Sequence, residues 1–324
     1  MNEDRLEFLG QVAAWYYEDE LDQSKIAERI GKSRSMVSRL LAEARNSGLV
    51  HVHVSFPLRT DHELEDRLSE MFDLTEVRVL AGGQIDHESM MRTLGRLGAR
   101  TLQSRLRSDM TVSIGWGASL HSLVRAMPEI QLDSVMVLQV MGSVGDGDPN
   151  VDGADLARSL AAKLNGDFRA MAAPVIVDRP ETARSLAADR TIATTLRMAE
   201  SSDLAVIGIG SIDSAVSGLV RAGYFNKSHI VRLRQVGVVG DLLGYLLDRA
   251  GRVLDIPEND RVVALHPDQL AKIPSVIGVA GGTSKAAAIS AILRARLIDV
   301  LVTDAEAAFA LIAMHETDRL VGVG

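Results

Sequence analysis

Residues 23–50, QSKIAERIGKSRSMVSRLLAEARNSGLV, constrain this chain more than any other stretch. Apolar side chains recur there at three- and four-residue spacing. Ile26, Ala27 and Ile30 form one set, and Met36, Val37, Leu40, Leu41 and Ala44 form the next. Two short amphipathic helices are expected. Gly31 lies between them, where a tight turn needs a residue free to adopt positive φ, and Ser33 offers an oxygen to cap the second helix. Small Ala27 permits close approach, Gly31 turns the chain and Val37 locks the second helix onto the first. That is the pattern of a helix-turn-helix.

The charge gives this hairpin a direction. Lys25, Arg29, Lys32, Arg34, Arg39 and Arg45 face only Glu28 and Glu43, a local balance of +4 in a chain of formal net charge −8. Lys32, Ser33, Arg34 and Ser35 open the second helix, the end that would enter a major groove, with Ser38 and Arg39 one turn on. Arg34 could take guanine O6 and N7 as a fork, while the serines, Lys32 and Arg45 reach base edges or phosphates. A solvated basic face is the plainer alternative, but spacing, cap and charge together favour DNA. Only charge within a Debye length of the phosphates matters, so the acidic remainder does not oppose this.

A preceding helix is expected over residues 4–18, with Leu6, Leu9, Val12, Ala13, Tyr16 and Tyr17 facing inward. Trp15, Tyr16 and Tyr17 are read as core for a small domain rather than as base-stacking rings. After Gly48, residues 49–54 alternate and are β-branched, which predicts a strand behind the recognition helix and hence a winged domain. His51 and His53 share one face of that strand, but without a third ligand they make no zinc site. No metal or cofactor is expected. The chain contains no cysteine, which suits a reducing cytosol. No apolar run reaches bilayer length, and the N-terminus lacks the features of a signal peptide. A cytoplasmic protein without a membrane partner is expected.

With 324 residues there is room for a second domain with a full core. The boundaries read as a winged helix-turn-helix over 1–56, a linker helix over 57–73 and an effector and oligomerisation domain over 74–324. The linker helix either joins the domains or pairs with its copy in a dimer. From residue 74 strands alternate with helices, the signature of a parallel sheet covered on both faces. Strands are expected at 76–80, 110–114, 135–140, 175–177, 204–209, 262–265, 276–280 and 300–303. Helices are expected at 88–107, 120–127, 154–164, 187–201, 229–236, 284–296 and 305–315.

Ligands of such sheets bind beyond the carboxyl ends of the strands. Three strand ends carry suitable chemistry. Gly115, Trp116, Gly117, Ala118 and Ser119 follow the first; Gly281, Gly282, Thr283, Ser284 and Lys285 follow the second; the third, Ile207, Gly208, Ile209, Gly210 and Ser211, has no cation. A helix N-terminus, two hydroxyls and an ammonium converge at the second, which suits a phosphate. One such loop alone is better explained by packing, but two in one domain point to an anionic small molecule. None is a Walker loop, since the lysine follows the glycines too soon. By residue pattern alone Asp241 either caps a helix beginning at Leu242 or binds ligand, and Arg221 reads as a surface arginine.

With these residues in view the chain resembles the SorC family of sugar-responsive bacterial transcription regulators over nearly its whole length. The motifs are SRSMVSRLLAEARNSGLV from Ser33, SIGWGASL from Ser113, LQVMGSVG from Leu138, VGVVGDLLGYLLDRAGRVL from Val236 and IGVAGGTSKAAAISAILRARLIDVLVTDAEAA from Ile277. The resemblance implies an α/β protein: an N-terminal winged helix-turn-helix, then a Rossmann-like parallel-sheet effector domain similar to sugar-phosphate isomerases. It also implies a sugar or sugar-phosphate effector over Gly115, Gly117, Ser119, Asn150, Arg221, Asp241, Gly281, Gly282 and Lys285. Ser119 and Lys285 would hold phosphate, Arg221 would add an anionic contact, and Asp241 would accept from hydroxyls. One departure stands out. Some relatives carry a basic residue at the position of Met141, and one branch forms a Schiff base there with a lysine. Methionine does neither, which excludes covalent capture at this position and leaves a monophosphate, an unphosphorylated sugar or a polyol.

The expected protein is a regulator that binds operator DNA as a homodimer or homotetramer under effector control. The alternative is a sugar-phosphate isomerase or deaminase, for which Asp241 would be the base.

Overall fold

The computed structural model describes residues 3–50, 58–82, 86–144 and 152–321. The chain divides into two compact units, Met1–Pro57 and Leu58–Gly324.

In the first unit three helices, α1 (Glu3–Tyr17), α2 (Gln23–Ile30) and α3 (Arg34–Asn46), enclose a small core. Asp22 caps α2 by accepting from the Ser24 and Lys25 amides, and Gly31 ends it with φ 63°. Ser33 caps α3 through the Met36 amide. Leu9, Val12 and Ala13 of α1 meet Ile26 and Ala27 of α2 and Val37, Leu40, Leu41 and Ala44 of α3. Two side chains expected inside are exposed, Met36 and Tyr17. The buried set of α3 follows the 37–40–41–44 stripe, and Met36 is rotated about 100° off it. Tyr17 is the last residue of α1 and stacks edge-on with Tyr16. Trp15 and Tyr16 pack against the core. Leu49 and Val50 are not strand; the rest of the expected wing strand, with His51 and His53, lies outside the described residues.

The second unit begins with α4 (His62–Phe72), β1 (Glu76–Leu80), α5 (His87–Gln103), β2 (Thr111–Ile114), α6 (Ala118–Ala126), β3 (Met136–Gln139), α7 (Gly153–Lys163), β4 (Asp167–Arg169), α8 (Pro180–Ala188) and α9 (Arg190–Glu200). It continues with β5 (Leu204–Gly208), β6 (Gly210–Ser211), α10 (Gly218–Arg221), α11 (Lys227–Gln235), β7 (Gly240–Leu242), β8 (Tyr245–Leu247), α12 (Pro267–Leu270), β9 (Val276–Val279), α13 (Ala286–Arg294), β10 (Val300–Asp304) and α14 (Ala305–Val321). Seven strands form one parallel sheet in the order β1-β10-β9-β5-β2-β3-β4. Alternate residues of its strands enter opposite cores. Leu204 and Val206 go to one and Ala205 and Ile207 to the other, so β5 reads as a continuous apolar run. Leu64, Leu68 and Phe72 bury α4 in this unit's core. The chain leaves β4 at one edge and returns through β5 on the far side of β2, which makes the β2–β5 boundary the switch point where such sheets bind ligands.

Expected strands 175–177 and 262–265 are not members of the sheet. They form isolated bridges, Ile176 with Val262 and Met141 with Ala264. The edge strand beside β3 is β4 instead, whose Phe168 is exposed and so gives no buried pattern. The helix expected from 187 is interrupted at Asp189, which ends α8 and caps α9 through the Thr191 amide.

Candidate functional site: a cavity at the strand ends

The carboxyl ends of six of the seven parallel strands line one cavity of about 620 Å³, only the edge strand β4 being absent from it. Short loops after β2, β5 and β9 approach one another because glycines stand where side chains would collide. A Cβ on Gly208 would sit 3.0 Å from the Trp116 carbonyl oxygen.

The loop after β9 carries the cation. Gly282 holds it at φ 88°, and Thr283–Lys285 form a single 3-10 turn before α13, where one longer helix was expected. Two side chains clamp this loop. Asp304, at the end of β10, accepts from the Gly282 amide at 2.5 Å and from the Ala307 amide at 2.9 Å. Ser211 Oγ donates to the Ser284 carbonyl at 2.8 Å. Neither was named as a site residue in the sequence. An acid closing a strand that reads VLVTD was the available signal for Asp304; Ser211 was noted only as the last residue of the third, cation-free strand end. The loop is therefore preorganised, and its backbone does not have to order around a ligand.

Asp241 lies on β7, opposite Gly210 of β6. The helix it was alternatively expected to cap does not exist. Leu242 pairs with Tyr245 across a two-residue turn, Leu243 and Gly244, both at positive φ, a type I′ hairpin. Only 6% exposed, the Asp241 carboxyl is pushed up to about 6 by burial, against the opposing pull of Lys285 and the Gly244 amide. Lys285 is half-buried by surface area yet closely surrounded by protein. Burial lowers its ammonium to about 8; Asp241 opposes the shift and Arg221 reinforces it. Arg221 disfavours the charge on Lys285, and an anion bound in the cavity would favour it.

Among the expected effector residues, Gly117, Ser119, Arg221, Asp241, Gly281, Gly282 and Lys285 all line the cavity. Arg221 ends α10; it is exposed, as a surface arginine would be, and also lines the cavity. Ser119 is buried in the first turn of α6, whose N-terminus at Gly117 has no side-chain cap, leaving backbone amides for an anion. Gly115 does not line the cavity. It is buried behind the loop, where a Cβ would touch Leu243 at 3.4 Å. Asn150 lies outside the described residues. Met141 is fully buried and lines the wall. The cavity also takes His87 and Glu306, which motif reading passed over because they belong to no glycine loop.

In the first unit Lys32, Ser33, Arg34, Ser35, Ser38, Arg39 and Arg45 are all exposed. Ser33 Oγ lies 2.9 Å from Ser35 Oγ while capping α3. Arg29 is engaged otherwise, its guanidinium 4.7 Å above the Trp15 ring. Arg5 and Glu43 pair at 2.6 Å and tie α1 to α3. No group of three or more His, Cys, Asp or Glu able to hold a metal occurs among the described residues, and no helix there is long and apolar enough to cross a membrane.

The chain is similar to known proteins over most of its length. Residues 57–313 match the family model described as "Putative sugar-binding domain". The transcriptional regulator LsrR of Enterobacter sp. (strain 638) is 33% identical over 311 residues, spanning 95% of this chain and 93% of that protein. The deoxyribonucleoside regulator of Bacillus subtilis is 28% identical, spanning 96% and 99%. Among solved structures, the full-length sorbitol operon regulator SorC from Klebsiella pneumoniae superposes with a TM-score of 0.73 at 26% identity, covering 96% of this chain and all of that one.

Proposed function

Because the chain belongs to the SorC family of sugar-binding transcriptional regulators, we propose that a sugar or sugar phosphate in the strand-end cavity controls how its helix-turn-helix binds operator DNA. Lys285, Arg221 and the α6 N-terminus take the anionic group, and Asp241 accepts from sugar hydroxyls. Arg34 and Ser35 read base edges, while Arg39, Arg45 and Lys32 hold phosphates. Two or four copies present paired heads to a two-fold operator in the cytosol, and the effector favours one arrangement of those heads in proportion to its differential affinity.

One observation carries the reading: two cations, an uncapped helix N-terminus and a buried carboxylate line a single cavity, in a chain whose capped second helix exposes a basic start. Lys285→Ala tests it. Operator binding is expected to persist while the response to sugar phosphates disappears; an unchanged effector dose curve would remove Lys285 from the site.

Asp241, poised near 6, is the one feature that favours the enzyme reading. Turnover assays with several sugar phosphates separate the two, and product formation at enzyme-like rates would favour an isomerase or deaminase.

A further inference from the structure

Trp116 is one of two tryptophans in the chain and the one Trp, Tyr or Phe among the described residues that line the cavity. It sits between Gly115 and Gly117 in the loop that leads to Ser119, half-buried, with one side against the core. Its position is not left to chance. The benzenoid edge packs on Gly218, the first residue of α10, where a Cβ would lie 3.0 Å from Cη2. The same four-residue helix ends in Arg221. One buttress therefore carries the ring at one end and a cation at the other.

A ring held in this way suits a sugar better than an inorganic anion. The faces of a pyranose, furanose or extended polyol carry C–H bonds, weakly positive, and an indole face is negative. Ligand sites typically combine such apolar platforms with a few polar groups that fix orientation. A cavity of about 620 Å³ has room for a pentose or hexose bearing one phosphate.

Resting on the effector reading above, we propose that Trp116 is the stacking platform for the carbon skeleton of the effector, and that Gly218 is glycine so that α10 can seat the indole. The anion-binding groups then secure the charged end, and Trp116 distinguishes a sugar phosphate from phosphate alone.

The test uses the full chain carrying Trp15→Phe, so that Trp116 is the sole indole. Ribose 5-phosphate, glucose 6-phosphate and inorganic phosphate are titrated while indole emission and the thermal midpoint are followed. A sugar phosphate should change the emission. Trp116→Ala should weaken its affinity about tenfold, the scale of one aromatic contact, with inorganic phosphate changed by less than about twofold. Gly218→Ala needs only a small displacement of the ring, leaves the fold in place, and should weaken the same sugar phosphate several-fold. Equal losses for both ligand types in Trp116→Ala, or none for the sugar phosphate, would overturn the proposal while leaving the effector reading intact. No response of the unsubstituted chain to any of the three would overturn the sugar-phosphate form of the effector reading and this inference with it.

Discussion

Gly210 and Asp241 are cross-strand partners in the small antiparallel sheet, and the Asp241 carboxylate fills the space that a side chain on Gly210 would need. The acid of the cavity is thus aimed by an absence of atoms on its neighbour. Gly210→Ala is expected to drive Asp241 off its rotamer, at a cost of about 1–3 kcal/mol, and to weaken effector binding at the same time. Denaturant unfolding and ligand titration of the one variant check both effects. A variant destabilised but binding normally would separate Asp241 from the ligand.

The Asp241–Lys285 pair also sets a pH signature. Asp241 is raised from 3.8 to about 6, so the folded chain holds its proton more tightly than the unfolded one. Its contribution is complete below about pH 4 and lost as pH rises through about 6. Lys285 is lowered from 10.5 to about 8, so stability recovers as pH rises from about 8 toward 10.5. Arg221, His87, Asp304 and Glu306 are the other charged or titratable groups lining the cavity. Unfolding curves should show a shallow stability minimum between about pH 6 and 8, and Asp241→Asn should flatten the acid limb by roughly 2–3 kcal/mol. An acid limb as steep as in the parent chain would count against this assignment.

The same lysine predicts how binding depends on pH. Affinity for an anionic effector should fall above about pH 8 as the ammonium of Lys285 neutralises. A guanidinium does not titrate in this range. Isothermal titration at pH 7 and pH 9.5 should therefore show a drop in the parent chain and a smaller one in Lys285→Arg.

Asp304 joins the loop after β9 to the start of α14 through two backbone amides. Charged hydrogen bonds of this kind contribute about 1.5–3 kcal/mol each. Asp304→Ala should lose roughly 3 kcal/mol of stability, with faster amide exchange at Gly282 than in the central strands. Unaltered exchange at Gly282 would mean that the loop holds itself.

On the DNA side, Arg34→Ala should cost about 1–3 kcal/mol at the operator and relax specificity, while Arg45→Ala should weaken all sequences alike. Competition binding with operator and random duplexes reads both. An equal loss on the two duplexes for Arg34→Ala would deny it a base.

Much of this was open to a reading of the residues in order. The helix-turn-helix follows from spacing within a few turns of helix, and Gly31 and Ser33 do what their backbone and side-chain chemistry dictates. The two glycine loops announce themselves because they directly follow apolar runs. The hairpin holding Asp241 was not legible. VVGDLLGYLL is apolar on both sides of Asp241, and periodicity cannot separate a buried strand pair from a helix start.

What the sequence by itself determined was therefore local: where helices begin and end, which strands are buried on both faces, and which segment carries positive charge. The tertiary structure decided what meets. Ser211 reaches Ser284 across 73 positions of chain, Asp304 reaches back to Gly282, and Trp116 rests on Gly218. Strand order and register set those contacts, and register depends on how every apolar face is buried at once, which no short window of residues contains.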